Sequence, residues 1–312
     1  MKIREKVRPV PRVLARNALE PEVETDEVII CLDYAQLELR VCGLFCEDPA
    51  MTRILCDPDG DVHTNTANEV GVDRDKVAKR LNFLLIYGGG SYVLSENLTV
   101  NGVPTTQDQA KAFITRWDGV YAGVPAWRKS LLVEHQEKGY VSLFTGRKRW
   151  LLNVDWDSRN EVHKAETTLS NNAVQGSGQD FLKMAIIRSD VHCINVDKLL
   201  PQRLDMPREH RLVIAEQASK VEKFRRVLRL AQCQWLLQVH DESLWRVKRS
   251  AADECIDILG QMMVMRHPFP AIKRYSIPLV VDGGWGESWK KAKAKDNKHR
   301  VHLGFKEWAA IA

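Results

Sequence analysis

The run Val28-Ile29-Ile30-Cys31-Leu32, rich in β-branched residues, ends on the carboxylate of Asp33. A short apolar run of this kind predicts a buried strand with its acid at the exposed tip. A helical pattern follows over 35–46. A second one, over 74–87, is stopped by Gly88-Gly89-Gly90. Residues 105–138 read as mostly helical with an interruption near 119–125. Residues 160–192 read as a long helix whose middle is weakened by Gly176 and Gly178. The stretch 235–247 predicts two strands meeting at a tight turn around 240–242, then a helix near 251–265 and a strand at 277–282. Helices and strands mix without strict βαβ alternation, so the expected fold class is α+β.

Composition changes this picture little. A chain of 312 residues, 44% hydrophobic and 28% charged, can bury a sizeable core in one large domain or two. No apolar run reaches the roughly 18 residues that span a membrane, and the basic N-terminus has no apolar h-region. Seven cysteines without a C-x-x-C pair argue against a disulfide framework or a zinc site, which fits a reducing cytoplasm. The net charge of +5 is unevenly spread: residues 201–230 carry eight Lys/Arg against four acids, and a second basic cluster starts at Lys290. Such clusters suit a phosphate backbone, and equally a solvated face.

Two acids stand at predicted strand tips far apart in sequence, Asp33 in Asp33-Tyr34-Ala35-Gln36-Leu37-Glu38-Leu39-Arg40 and Asp241 in Val239-His240-Asp241-Glu242. Two facing carboxylates repel, and a divalent cation relieves the repulsion. Magnesium suits a pair of aspartates completed by substrate phosphates. Taken singly, each acid would look the same in an unrelated turn. The third segment is the helix over 74–87, where Lys79, Phe83 and Tyr87 recur at i, i+4 and i+8 and share one face. An ammonium and two rings on one face can hold a triphosphate and stack on a base or sugar, although a core helix also shows aromatic residues at this spacing.

Together these segments resemble the A-family DNA polymerases. The first is similar to their motif A (D-Y-S-Q-I-E-L-R), the helix to motif B (K-x-x-N-F-G-x-x-Y-G), and Val239-His240-Asp241-Glu242 to motif C. Asp61-Val62-His63, Thr145-Gly146-Arg147-Lys148-Arg149, Asn171 through Gln175 with Asp180, and the stretch from Ile277 to Lys293 resemble further segments in the same order. The resemblance covers about 15–295 and implies an α+β right-hand arrangement, an antiparallel palm sheet with helices and a helical fingers part. It divides the chain into 1–72 (palm, with motif A), 73–165 (fingers), 166–290 (palm, with motif C) and a basic tail at 291–312.

The implied activity is template-directed addition of deoxynucleotides to a primer 3′ end, with primer–template DNA and deoxynucleoside triphosphates as partners. The implied catalytic group is Asp33, Asp241, Glu242 and Lys79. Two magnesium ions, with manganese able to substitute, are held by Asp33, Asp241 and the Tyr34 carbonyl. Nucleotide contacts fall to Tyr34, Gln36, Glu38, His63, Arg74, Lys76, Lys79, Phe83 and Tyr87, with Glu38 crowding the sugar 2′ position. DNA contacts fall to Arg40, Arg147, Lys148, Arg149, Asn171, Gln175 and His240.

The sequence departs from the family at several positions. Asp75 stands where an arginine four residues before the motif B lysine is usual, with Arg74 and Lys76 on either side of it; Leu84 replaces a glycine and Thr167 an arginine. Nothing resembles a thumb or a 3′–5′ exonuclease domain. That leaves a phage-like compact enzyme, a split replicase whose partner chain supplies those parts, or a DNA-binding subunit without turnover.

Overall fold

The structure, a computed structural model, describes residues 26–192, 208–267 and 276–306, the side chains of 208–214 aside. The predicted strand is β1 (Glu27–Tyr34), and the pair around the turn is β4 (Gln234–Val239) and β5 (Glu242–Lys248). With β6 (Val281–Gly286) and β7 (Arg300–Leu303) they form one antiparallel sheet in the order β4-β5-β1-β6-β7. β2 (Tyr140–Ser142) and β3 (Lys148–Trp150) make a separate hairpin.

Helices fill the connections. After β1 come α1 (Leu37–Cys46), α2 (Pro49–Cys56) and α3 (Val62–Val70), then a π-helical turn at Arg74–Ala78 that runs into α4 (Lys79–Ile86). Next are α5 (Ser91–Val100), α6 (Gln107–Val120) and α7 (Gly123–Lys138). Local chemistry sets several of these boundaries. Asp48 caps α2 with Pro49 at its first position, and Thr106 and Gln109 close a capping box on α6. Asp48 also accepts from the Gly123 N–H at 2.8 Å, tying the start of α7 to α2. Beyond the hairpin lie α8 (Arg159–Ser189), α9 (Arg208–Leu230), α10 (Ala252–Val264) and the short α11 (Trp289–Ala292).

β1 is buried on both faces, which its unbroken apolar run required. Val28, Ile30, Leu32 and Tyr34 belong to the main core shared with the helices, with Trp245 and Val247 of β5 beside them. Ile29 and Cys31, with Leu244 of β5, face the other way and are covered by Trp289 and Ala292 of α11. Asp33 continues that second face at the end of β1, the central strand.

The long helix expected over 160–192 is α8, continuous through Gly176 and Gly178, where the glycines admit close neighbours: a Cβ on Gly176 would lie 2.7 Å from Leu143 Cδ1, and one on Gly178 3.3 Å from Leu37 Cδ2. Two expectations need correction. The strand expected at 277–282 starts instead at Val281; Pro278 has no N–H to donate, and the Val280 carbonyl is taken by the Ala35 N–H at 2.8 Å. The stretch expected as a basic tail is built into the fold from 291 to 306 through α11 and β7; 307–312 lie outside the described residues. Of the basic stretch 201–230, residues 201–207 also lie outside them. The remainder is α9, docked by buried Val221 and Leu228 and by Arg225, whose guanidinium donates to the carbonyls of Arg188 (2.8 Å) and Ile187 (2.7 Å).

Candidate active site

Sheet register assembles the acidic centre. Asp33, the next-to-last residue of β1, lies opposite Glu242, the first of β5. Directly opposed residues of an antiparallel pair project to the same side. Asp241 sits in the β4–β5 turn, which His240 makes possible with a left-handed φ of 57°. The Tyr34 N–H reaches the Asp241 carbonyl at 3.3 Å, so the turn is fastened to the end of β1. On the other side Gln179 of α8 and Gln238 donate to the His240 carbonyl at 2.9 and 3.1 Å.

Burial and the nearby Asp241 push the Asp33 carboxyl up to about 7, opposed by Lys293. Its Oδ1 is buried and has no hydrogen-bond partner. Such an oxygen costs free energy unless a donor or a cation reaches it. Glu242 is almost wholly buried and fully engaged. One oxygen accepts from Cys31 Sγ at 2.9 Å and from the Trp289 indole, and the other from Lys293 Nζ at 2.5 Å. Lys293 Nζ also lies 3.3 Å from Asp33 Oδ2.

Among the described residues no three His, Cys, Asp or Glu side chains form a metal cage. Magnesium does not need one, since it binds one or two carboxylates and takes its other ligands from water and phosphates. An orphaned carboxylate oxygen beside a second aspartate at a strand tip fits that ion.

A cavity of about 320 Å³ opens beside this centre, lined by Glu38, Gln175, Gln179, His240 and Asp241. A larger one of about 680 Å³ lies along α4, lined by Lys79, Arg80, Phe83, Leu84 and Tyr87, with Thr167 of α8. Glu38, in the wall of the smaller cavity, neighbours Tyr87, which lines the larger one. Burial raises its carboxyl, and the Tyr87 hydroxyl and Gln175 amide beside it oppose that rise. The same burial and the Glu38 carboxylate push the Tyr87 phenol up.

The π-turn changes the meaning of Asp75. In it the Lys79 N–H bonds the Arg74 carbonyl, an i to i+5 link, so one extra residue is absorbed ahead of α4. Arg74, five residues before Lys79, is thus carried one turn above it. Its guanidinium is committed to Asp61 and Asp75, with Nε 2.9 Å from Asp61 Oδ2 and 3.1 Å from Thr64 Oγ1. Lys76 is exposed, and its carbonyl accepts from Arg80.

Other expected contacts are placed differently. Arg40 is 4% exposed and donates to the carbonyls of Ala35 (3.0 Å), Leu55 (2.9 Å) and Pro278 (2.8 Å). That makes it an internal tie and not an open phosphate contact. His63 is buried, bonded through Nδ1 to Asn82 at 2.9 Å and tilted against the Phe83 ring, so it backs Phe83 from inside. The Tyr34 side chain is buried and bonds the Met263 carbonyl at 2.8 Å, leaving only its backbone for the site. Gln36 adopts a left-handed φ of 53° at the start of α1, and its Oε1 is buried without a partner. In the hairpin, Arg147 pairs with Asp180 at 2.7 Å, Lys148 lies over the Tyr140 ring, and Arg149 is exposed. Asn171 is half-buried on α8, one turn before the exposed Gln175. Sequence reasoning missed Trp289, Lys293, Cys31, Gln179 and Gln238. The one available signal was the i, i+4 spacing of Trp289 and Lys293.

The chain matches the family model described as DNA polymerase family A over residues 6–291. It is 32% identical over 288 residues to DNA polymerase I of Bacillus subtilis, covering 89% of this chain and 27% of that protein. It is 28% identical over 274 residues to the thermostable DNA polymerase I of Thermus aquaticus, covering 85% and 27%. Among solved structures, the POL domain of Pol1 from M. smegmatis, in complex with DNA primer-template and dNTP, shares the fold. Its TM-score is 0.67 at 24% identity, over 89% of this chain and 42% of that one. The chain therefore spans 27% of the length of these two curated relatives.

Proposed function

This chain belongs to DNA polymerase family A, and from that premise we propose that it is the palm and fingers of a DNA-directed DNA polymerase that extends a primer 3′ end. The observation that carries the reading is the buried, unpartnered Oδ1 of Asp33 beside Asp241, next to a cavity walled by Glu38, which neighbours Tyr87 of the lysine–aromatic face of α4. Residues 73–165 form the fingers in this proposal, and 1–72 with 166–290 the palm.

Asp33 and Asp241, with the Tyr34 carbonyl, would hold two magnesium ions, which when bound activate the primer hydroxyl and steady the leaving pyrophosphate. Lys79 neutralises triphosphate charge from the exposed edge of α4, and Arg74 joins it once released from Asp61 and Asp75. Phe83 and Tyr87 carry the nascent base pair. Glu38, half-buried in the wall of the smaller cavity beside Tyr87, fills the space a ribose 2′-hydroxyl would need. Gln175, Arg149 and Lys148 meet the primer–template backbone, which positions the duplex without reading its sequence. Glu242, enclosed by Cys31, Trp289 and Lys293, supports the site from behind.

Primer extension by the whole chain with magnesium tests the reading. Asp241→Ala is expected to lower the rate by about 10³-fold or more while leaving duplex binding in place. Equal extension by the wild type and the variant would sink the catalytic claim and leave a DNA-binding subunit.

A further inference from the structure

Lys293 is the residue of the acidic centre to which neither the motifs nor the mechanism gives work. It follows α11 directly, and its N–H bonds the Trp289 carbonyl at 3.1 Å, continuing the helical turn. Four residues apart, the two side chains share a face, and both reach Glu242. The Trp289 indole donates to Oε1, and Lys293 Nζ lies 2.5 Å from Oε2.

The backbone carrying them is closely fixed. Ser288 caps α11, and the Asn297 amide bonds the carbonyls of Trp285 (3.0 Å), Lys291 (3.1 Å) and Ala292 (3.1 Å). Gly284 and Gly286 let this turn lie directly on β6: a Cβ on Gly284 would stand 2.7 Å from the Ala292 carbonyl oxygen, and one on Gly286 2.9 Å from the Ala292 nitrogen. Lys293 is therefore held at the acids by the fold and is not a freely sampling surface lysine.

Two consequences follow for the carboxylates. Glu242 has both oxygens engaged by Cys31, Trp289 and Lys293, so it is locked in place. Asp33 has one oxygen orphaned and the other 3.3 Å from the ammonium. An arriving divalent ion meets a fixed positive charge and shares Asp33 with it. We propose that Lys293 is a positioning residue that anchors Glu242, stands in for the metal at Asp33 in the free protein, and so sets how tightly the site takes a divalent ion. This rests on the reading that Asp33 and Asp241 bind metal.

The test is manganese binding to the full chain without DNA or nucleotide, read from the loss of the free-ion electron paramagnetic resonance signal at pH 8.5. Removing a unit charge a few ångströms from the ion is expected to tighten binding about fivefold or more in Lys293→Met. Lys293→Arg, which keeps the charge, is expected to stay near the wild type. If Lys293→Met gives no cooperative unfolding transition, Lys293→Gln takes its place with the same expected tightening, since its amide can still donate to Glu242. A wild type that binds manganese and a neutral variant that binds it equally or more weakly would overturn the role of Lys293. Binding by neither protein, with no change in Asp241→Asn, would instead overturn the metal reading and this proposal with it.

Discussion

His267 is a titratable group that the fold has closed away from water. It is 1% exposed, its Nε2 lies 3.4 Å from the Met263 carbonyl, and its ring meets Phe181 edge-on at 4.9 Å. Burial first, and then the Arg188 guanidinium, push its imidazole well below the ordinary value of 6.5. The folded state therefore binds fewer protons than the unfolded state below about pH 6.5, so stability is present above that pH and lost as pH falls through it. The loss approaches about 1.4 kcal/mol per pH unit. Urea unfolding at pH 7, 6 and 5 should show it, and His267→Gln should flatten the slope; an unchanged slope would remove His267 from the account. Asp33 and Asp241 are legible at this scale because a carboxylate ending an apolar run is a local pattern. Lys293 is not, because its spacing from Trp289 says nothing of what it touches, 51 residues away at Glu242 and 260 at Asp33.

Among the elements, α4 shows how one departure from the family is accommodated. Leu84 replaces a glycine, and its side chain folds over the turn that ends the helix. A Cβ on Gly89 would meet Leu84 Cδ1 at 2.2 Å and Cγ at 2.3 Å. The glycine run at 88–90 is thus both a helix stop and the clearance for Leu84. Gly89→Ala is expected to cost about 1–3 kcal/mol through overpacking, and most of that cost should vanish in the Leu84→Ala background. Additive effects in the double-mutant cycle would show that the two positions do not share space. The π-turn ahead of α4 lies beyond sequence reading, since a straight helix puts Arg74 about 140° around the axis from Lys79. A single wide turn absorbs the extra residue. The strand expected at 277–282 is found at Val281–Gly286, because its start is set by the long-range register against β1, in which Tyr34 faces Val281 and the Ala35 N–H bonds the Val280 carbonyl.

At the scale of the whole molecule, the sheet gathers Asp33, Asp241 and Glu242 at one end of its inner strands at a cost in stability. Like charges brought together and partly desolvated are held by the rest of the core. A divalent ion that binds only the folded state should repay this, raising the thermal midpoint with concentration as RT ln(1 + [L]/Kd). Magnesium is expected to stabilise the wild type, chelation to reverse the shift, and Asp241→Ala to abolish it, all measurable by calorimetry without substrate. A shift of equal size in the variant would place the ion elsewhere.

The α+β class, both strand-tip aspartates, the lysine–aromatic face of α4 and the family were determined by the sequence alone. Each rests on periodicity or on residues close together along the chain, where local geometry dictates the outcome. Tertiary structure alone decided the lock on Glu242, the internal role of Arg40, the backing of Phe83 by His63 and the continuity of α8 through its glycines. Those depend on which distant backbone or side chain arrives within hydrogen-bonding or van der Waals distance, and no local pattern encodes that.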